Sequence, residues 1–268
     1  MIQIFRSLPQ KSSLIQSVQA KLAAMGEIVA PSYCADCSKF APNGWSCESC
    51  NRQAEYWTES WCPVCAVPAG HRHTMGCHAP ARDVKVPSEK KLPWLDLRPL
   101  GRYSGVIRSA CLIAKKSHGS WISDQMIRSW WELHGQWAER IGPCWIVPIP
   151  RHWSRRFLEG YDPAAFLCSR LAQRWQSTGG SQASMLRRTK ATPYLSGLTV
   201  EDRLKVTEHL FDVSKSAPRQ LRKMSTVVLV DDILTTGATA ISATRSLRSA
   251  GAKQIYLATM ARTLEHES

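Results

Sequence analysis

Acidic residues are scarce in this chain. It has 21 Asp and Glu against 35 Lys and Arg over 268 residues, a formal net charge of +14 and an isoelectric point near 9.6. Such an excess favours polyanions, either nucleic acid or phosphorylated metabolites; the plain alternative is a solvated basic surface. Long apolar runs are also missing, and none approaches a membrane-spanning helix. The stretch from Ile2 to Met25 has no continuous apolar segment and no small-residue cleavage site. It does not read as a secretory signal, so the chain is expected in the cytoplasm. In that compartment ten cysteines point to metal and not to disulfides. The GxxxxGK[ST] loop is absent too, which excludes a P-loop NTPase.

What is present is organised around Val227-Val228-Leu229-Val230-Asp231-Asp232-Ile233-Leu234-Thr235-Thr236-Gly237-Ala238-Thr239. Four apolar residues, three of them β-branched, predict a buried strand. Two acids follow, then a short polar turn whose Gly237 can take positive φ or approach a ligand closely. From Ala238 an amphipathic helix is expected, closed near Gly251. Gln254–Met260 reads as the next strand, giving a βαβ unit of a parallel sheet. Main-chain N–H groups at a helix start stabilise phosphate, and the threonine hydroxyls add donors. Asp231 and Asp232 can accept from vicinal hydroxyls such as those of a ribose. Phosphate on one side and a diol on the other describes a sugar phosphate. The plain alternative is a buried strand ending in surface acids.

Residues 31–79 hold seven of the ten cysteines. Cys34-x2-Cys37 and Cys47-x2-Cys50 are nine residues apart, the pattern of two knuckles around one tetrahedral zinc. So small a module cannot bury a core, and the metal would supply folding energy. A third knuckle, Cys62-Pro63-Val64-Cys65, has an incomplete partner, because Cys77 is followed by Pro80 where a second cysteine would stand. Its fourth ligand is His71, His73 or His78, or else the site is lost and these cysteines are buried small residues. Trp45, Trp57 and Trp61 read as packing around the knuckles. Residues 1–30 form an N-terminal extension with a helical apolar spacing, 80–95 a Pro- and Lys-rich linker, and 96–268 an α/β domain.

Along that domain, Leu97–Tyr103 reads as a strand or a hairpin arm, and a helix from about Val106 leads to Lys115-Lys116. Ser123 is a candidate N-cap for a helix carrying Trp130, Trp131, His134 and Trp137, with His134 read as a packing residue. Cys144–Ile149 is a short strand. The basic loop Arg151-His152-Trp153-Ser154-Arg155-Arg156 follows, and Asp162-Pro163 opens a helix as N-cap and N1.

The apolar–acidic–TTGxT stretch resembles the phosphoribosyl pyrophosphate (PRPP) motif of type I phosphoribosyltransferases. With the cysteine-rich N-terminus, the chain over about 31–264 resembles the ComF/GntX-type family of competence-associated, phosphoribosyltransferase-like proteins. The resemblance implies a parallel sheet with helices on both faces, preceded by a zinc ribbon. It implies Asp231 and Asp232 on the ribose hydroxyls, and Thr235, Thr236, Gly237, Ala238 and Thr239 around the 5′-phosphate. Mg2+ would bridge ribose and pyrophosphate. Lys115 and Arg155 would lie near the pyrophosphate, although paired lysines and basic turns are more often solvated surface. Leu186–Thr189, Thr192-Pro193, Leu198-Thr199 and Arg203 resemble further family positions.

Three departures stand out. The family's R-G-F-N-Q is here Glu159-Gly160-Tyr161-Asp162-Pro163, and two further polar positions are Leu195 and Val206. Two functional classes therefore stay open. One is an enzyme that transfers a phosphoribosyl group with loss of pyrophosphate. The other is a non-catalytic PRPP or nucleotide sensor that engages single-stranded DNA or a DNA-handling partner, a link to DNA uptake that only the resemblance implies.

Overall fold

The computed structural model describes residues 33–41, 44–71, 73, 77, 91–116, 119–151, 162–189 and 210–264. The N-terminal extension, most of the 80–95 stretch, the basic loop beyond Arg151, Arg155 included, and the segment carrying Thr192, Leu195, Arg203 and Val206 lie outside them. Labels below number the described elements in chain order.

Five strands make one parallel sheet in the order β1-β7-β6-β2-β3: β1 Asp96–Arg102, β2 Trp145–Pro148, β3 Ser181–Gln182, β6 Thr226–Leu234 and β7 Gln254–Arg262. β4 Leu186–Arg188 and β5 Phe211–Val213 form a separate antiparallel pair. The helices are α1 Glu48–Gln53, α2 Gly105–Ala114, α3 Ser120–Ile141, α4 Pro163–Trp175, α5 Ala217–Lys223 and α6 Ala238–Ser249. None of the described helices is long and apolar enough to cross a membrane.

Strand alternation divides the core. Val228 and Val230 pack with Ile146, Ile107, Met126, Trp130 and Leu171, so α2, α3 and α4 cover one face. Val227 and Leu229 pack with Val147, Leu221, Ala243 and Leu247, so α5 and α6 cover the other. This is the doubly covered sheet that the apolar run of β6 predicts.

Several local expectations are refined. β1 is a parallel edge strand beside β7, with Leu97 opposite Leu257, and not a hairpin arm. β6 runs through both acids, since Asp231 is paired with Thr259 and Leu234 with Arg262. The helix expected to be capped by Ser123 starts earlier, at Ser120. Ser123 is buried inside its first turn and donates to the Gly119 carbonyl at 3.3 Å. Asp162 does cap α4, accepting from Ala165 N–H, with Pro163 at N1.

The cysteine module is not free-standing. Tyr56 pairs antiparallel with Gly101 of β1, Trp57 N–H donates to Leu100 O at 2.9 Å, and Arg102 N–H donates to Glu55 O at 2.8 Å. The module thus covers an otherwise open sheet edge. Gly101 is required there, because a Cβ would stand 2.4 Å from the Glu55 carbonyl oxygen. Cys34, Trp45 and Cys47 join the core under α2 and α3, whereas Trp57, Trp61, Cys62 and Cys65 join the core under α6. The sheet therefore supplies burial that the small module lacks. Leu92 and Trp94, just before β1, are buried in the second core as well.

Candidate functional site

At the carboxyl end of β6 the strand delivers two carboxylates side by side. Asp232 N–H donates to Asp231 Oδ1 at 2.9 Å, and Ile233 N–H donates to Asp232 Oδ1 at 2.8 Å. Burial and the charge of Asp232 raise the Asp231 carboxyl well above the usual carboxylate range. Asp232 has two cations beside it. Its Oδ2 lies 3.7 Å from Lys115 Nζ at the end of α2 and 3.5 Å from Arg151 Nη2 just beyond β2. That oxygen makes no hydrogen bond among the described residues. An acceptor held in two ion pairs but in no hydrogen bond among the described residues can still take a donor.

The loop follows directly. Gly237 is the N-cap of α6 with φ 79°, left-handed backbone that a side chain resists. Its second constraint is a neighbour, since a Cβ there would meet the Trp94 ring at 3.2 Å. The Thr236 hydroxyl lies 3.5 Å from the Ala238 N–H. Thr235 is exposed, Thr236 and Thr239 are half-buried, and Gly237 and Ala238 are buried. The helix start therefore offers N–H groups and hydroxyls at a position where a phosphate is stabilised. The structure brings Lys115, Asp231, Asp232 and the 235–239 loop together. Arg155 lies outside the described residues, but Arg151 of the same basic loop reaches Asp232.

Two further clusters could hold structural zinc. Cys34, Cys37, Cys47 and Cys50 form one, and Cys62, Cys65, His73 and Cys77 the other, with the ligand atoms of each within 4.8 Å of one another. Of the three histidines left open by the sequence, His78 lies outside the described residues, and of the other two His73 joins the second group. Its Nδ1 lies 3.3 Å from Cys65 Sγ and 3.5 Å from Cys77 Sγ. Sulfur pairs Cys37–Cys47 and Cys62–Cys77 are each 3.6 Å apart. Four sulfurs at about 2.3 Å from a tetrahedral zinc stand about 3.8 Å from one another, so both donor sets fit. Burial would raise the Cys34 thiol, but backbone N–H groups of Cys37, Cys47 and Asp36 bring it down to about 6. The neighbouring Cys65 and Cys77 thiols hold Cys62 far below the ordinary range. Thiolate character suits metal binding. Cys111, Cys144 and Cys168 are buried apolar residues, and burial pushes the Cys144 thiol up to about 12.

Two residues that sequence reasoning missed join the second cluster to the loop. Arg262, at the end of β7 and 1% exposed, donates through Nε to Cys65 O at 2.9 Å. Its Nη1 donates to Leu234 O at 3.3 Å, and also to the Thr235 and Thr263 carbonyls. Trp94 donates through Nε1 to Val64 O at 2.7 Å and lies under Gly237. Neither carries a motif that could have announced it.

Comparison with known proteins fits this geometry. The model of the phosphoribosyl transferase domain matches residues 160–268, which include the loop. A DNA utilization protein, YhgH, of Escherichia coli K12 is 28% identical over 225 residues, 81% of this chain and 90% of the relative. The YhgH protein of Shigella flexneri matches with the same identity and coverage. Competence protein F of Haemophilus influenzae is 30% identical over 117 residues, 44% of this chain and 49% of that protein. These matches, with the parallel sheet and its paired acids, support the resemblance to the ComF-type, phosphoribosyltransferase-like family.

Proposed function

We propose that this protein binds PRPP at Asp231–Thr239 and belongs to the machinery of DNA uptake and use in the cytoplasm. One observation carries the reading. Two acids, two cations and a helix start converge at one strand end, and these are the complementary partners of a ribose diol, a pyrophosphate and a 5′-phosphate. Asp231 and Asp232 would accept hydrogen bonds from the ribose hydroxyls. The hydroxyls of Thr235, Thr236 and Thr239 and the main-chain N–H groups from Gly237 and Ala238 would hold the 5′-phosphate. Lys115 and Arg151, held 3.7 and 3.5 Å from Asp232, would turn to the pyrophosphate. Arg155 would join them from the basic loop. Two carboxylates are hard oxygen donors of the kind Mg2+ uses alongside substrate oxygens, and Mg2+ would neutralise the pyrophosphate charge. In this reading both cysteine clusters hold structural zinc.

If a nucleophile takes the phosphoribosyl group, it displaces pyrophosphate at the anomeric carbon. The protein's share is then positioning and stabilisation of the leaving charge. A second reading, a PRPP sensor that engages single-stranded DNA, draws on Pro163. Where the family has a polar glutamine, Pro163 is buried as N1 of α4 and offers no donor. Its relatives' names, a DNA utilization protein and a competence protein, favour a DNA-related role under either reading.

Calorimetric titration of PRPP with Mg2+ tests the site. Asp232→Ala is expected to weaken binding about tenfold to a hundredfold, the loss of a hydrogen bond to a charged group. Gly237→Val should weaken it at least as much, through left-handed strain and a clash with Trp94. Equal binding by all three proteins, or none by the wild type, would remove the proposal. Pyrophosphate release measured alongside separates enzyme from sensor.

A further inference from the structure

The knuckle Cys62-Pro63-Val64-Cys65 turns three successive carbonyls towards the α/β domain. Pro63 O accepts from Leu97 N–H at 2.7 Å, Val64 O from Trp94 Nε1–H at 2.7 Å, and Cys65 O from Arg262 Nε–H at 2.9 Å. Two of these three donors also touch the 235–239 loop or its root. Arg262 holds the Leu234 and Thr235 carbonyls, and the Trp94 ring fills the space beside Gly237. The first cluster is tied elsewhere: Ser109 of α2 donates to Asp36 at 2.7 Å, and Trp45 donates to Ser129 of α3 at 3.3 Å.

We propose that the second cysteine–histidine centre sets the geometry of the 235–239 loop, with Trp94 and Arg262 as the positioning residues between them. The coupling rests on the PRPP reading only for its ligand, not for its mechanics.

The physical link is the direction of the carbonyls. The knuckle is closed by two backbone bonds, Cys62 N–H to Val67 O and Ala66 N–H to Cys62 O, both 2.8 Å. Ala66 within it has φ 49°, a left-handed conformation unfavourable for a residue with a side chain. Such a turn persists when its surroundings over-determine it, and a metal shared by Cys62, Cys65, His73 and Cys77 does so. Without the metal the turn can relax, and the Cys65 carbonyl moves away from Arg262. A guanidinium that is 1% exposed cannot make up the loss with water. It must draw on its other acceptors, which include the Leu234 and Thr235 carbonyls at the root of the loop. Because binding linkage is reciprocal, a ligand that orders the loop must also tighten the metal.

The experiment measures amide hydrogen exchange across Thr235–Thr239 in the full chain. Wild type is compared with Trp94→Phe, which removes both the Nε1 donor and the outer ring carbons that face Gly237, and with His73→Ala, which removes an exposed ligand. Exchange at 235–239 should quicken at least about fivefold in both, the lower end of ordinary site-to-site coupling. Exchange in β2 should stay unchanged, which global destabilisation would not allow. PRPP with Mg2+ should slow removal of the second zinc by a chelator by a similar factor. Unchanged exchange at 235–239 in both variants overturns the proposal, whatever PRPP does. Quickened exchange in a protein whose wild type does not bind PRPP upholds the mechanical coupling and removes the PRPP reading alone.

Discussion

His134 shows how one buried side chain sets a pH limit. It is 2% exposed, it is packed against the rings of Trp57 and Trp130, and its Nε2 is 2.9 Å from the Pro99 carbonyl. That is the packing role its position on the helix face predicts. A carbonyl partner requires Nε2 to carry the proton. Burial first, and then the nearby Arg98 charge, lower its pKa from 6.5 to about 4, against the opposing effect of the Pro99 bond. Between those values the unfolded chain takes up a proton and the folded protein does not. The stability it contributes is whole above pH 6.5 and is lost as pH falls towards 4. By pH 4.5 the loss should reach about 2 to 3 kcal/mol. Urea unfolding at pH 7 and pH 4.5 checks this. His134→Gln can keep a donor to Pro99 without titrating, so its stability should fall less than that of the wild type by about that amount. Parallel falls in the two proteins would show that other groups govern the acid limit.

The knuckles are the elements whose chemistry is most local. Two zinc ions per chain are expected, and metal analysis should find one in His73→Ala and two in His71→Ala. A wild-type protein free of zinc would contradict both donor sets. The first cluster was legible because CxxC brings two thiolates together by its own turn. The second needed the fold, since three histidines fell within eight residues of one another and spacing alone does not choose; among the described residues the path of the chain brings in His73 and not His71. The same division runs through the site. An apolar run ending in two acids and TTGxT announces itself, because strand, turn and helix start are contiguous. Lys115 was drawn in by resemblance alone. Arg262 was invisible, because its acceptors are main-chain carbonyls, which any residue type supplies, and one of them lies 197 positions away. In sequence it looks like surface charge. β1 was ambiguous for a related reason. Its partner β7 begins at Gln254, and parallel pairing over such a distance leaves no local mark.

At the scale of the whole molecule, the cysteine module and the sheet form one body. Tyr56 and Trp57 complete the edge at β1, and each cysteine cluster is seated in a different face's core. On this body sits a formal charge of +14, more than one pyrophosphate requires. If the surplus serves single-stranded DNA, its signature is set by counterions. Each phosphate neutralised on a single strand lowers log K by about 0.7 per tenfold rise in salt. Four such contacts would cost roughly 50-fold between about 50 and about 200 mM salt. Fluorescence anisotropy of a labelled oligonucleotide measures this. The expected result is binding at low salt that weakens steeply across that range, with little preference among sequences, because phosphate contacts carry no base information. Adding PRPP with Mg2+ then tells where the strand lies. If affinity is unchanged, the DNA-binding charge lies apart from the 235–239 loop. If affinity falls, phosphates of the strand share Lys115 and Arg151 with the sugar phosphate. An oligonucleotide that does not bind at low salt would leave the positive charge as solvated surface and the DNA role to a partner protein.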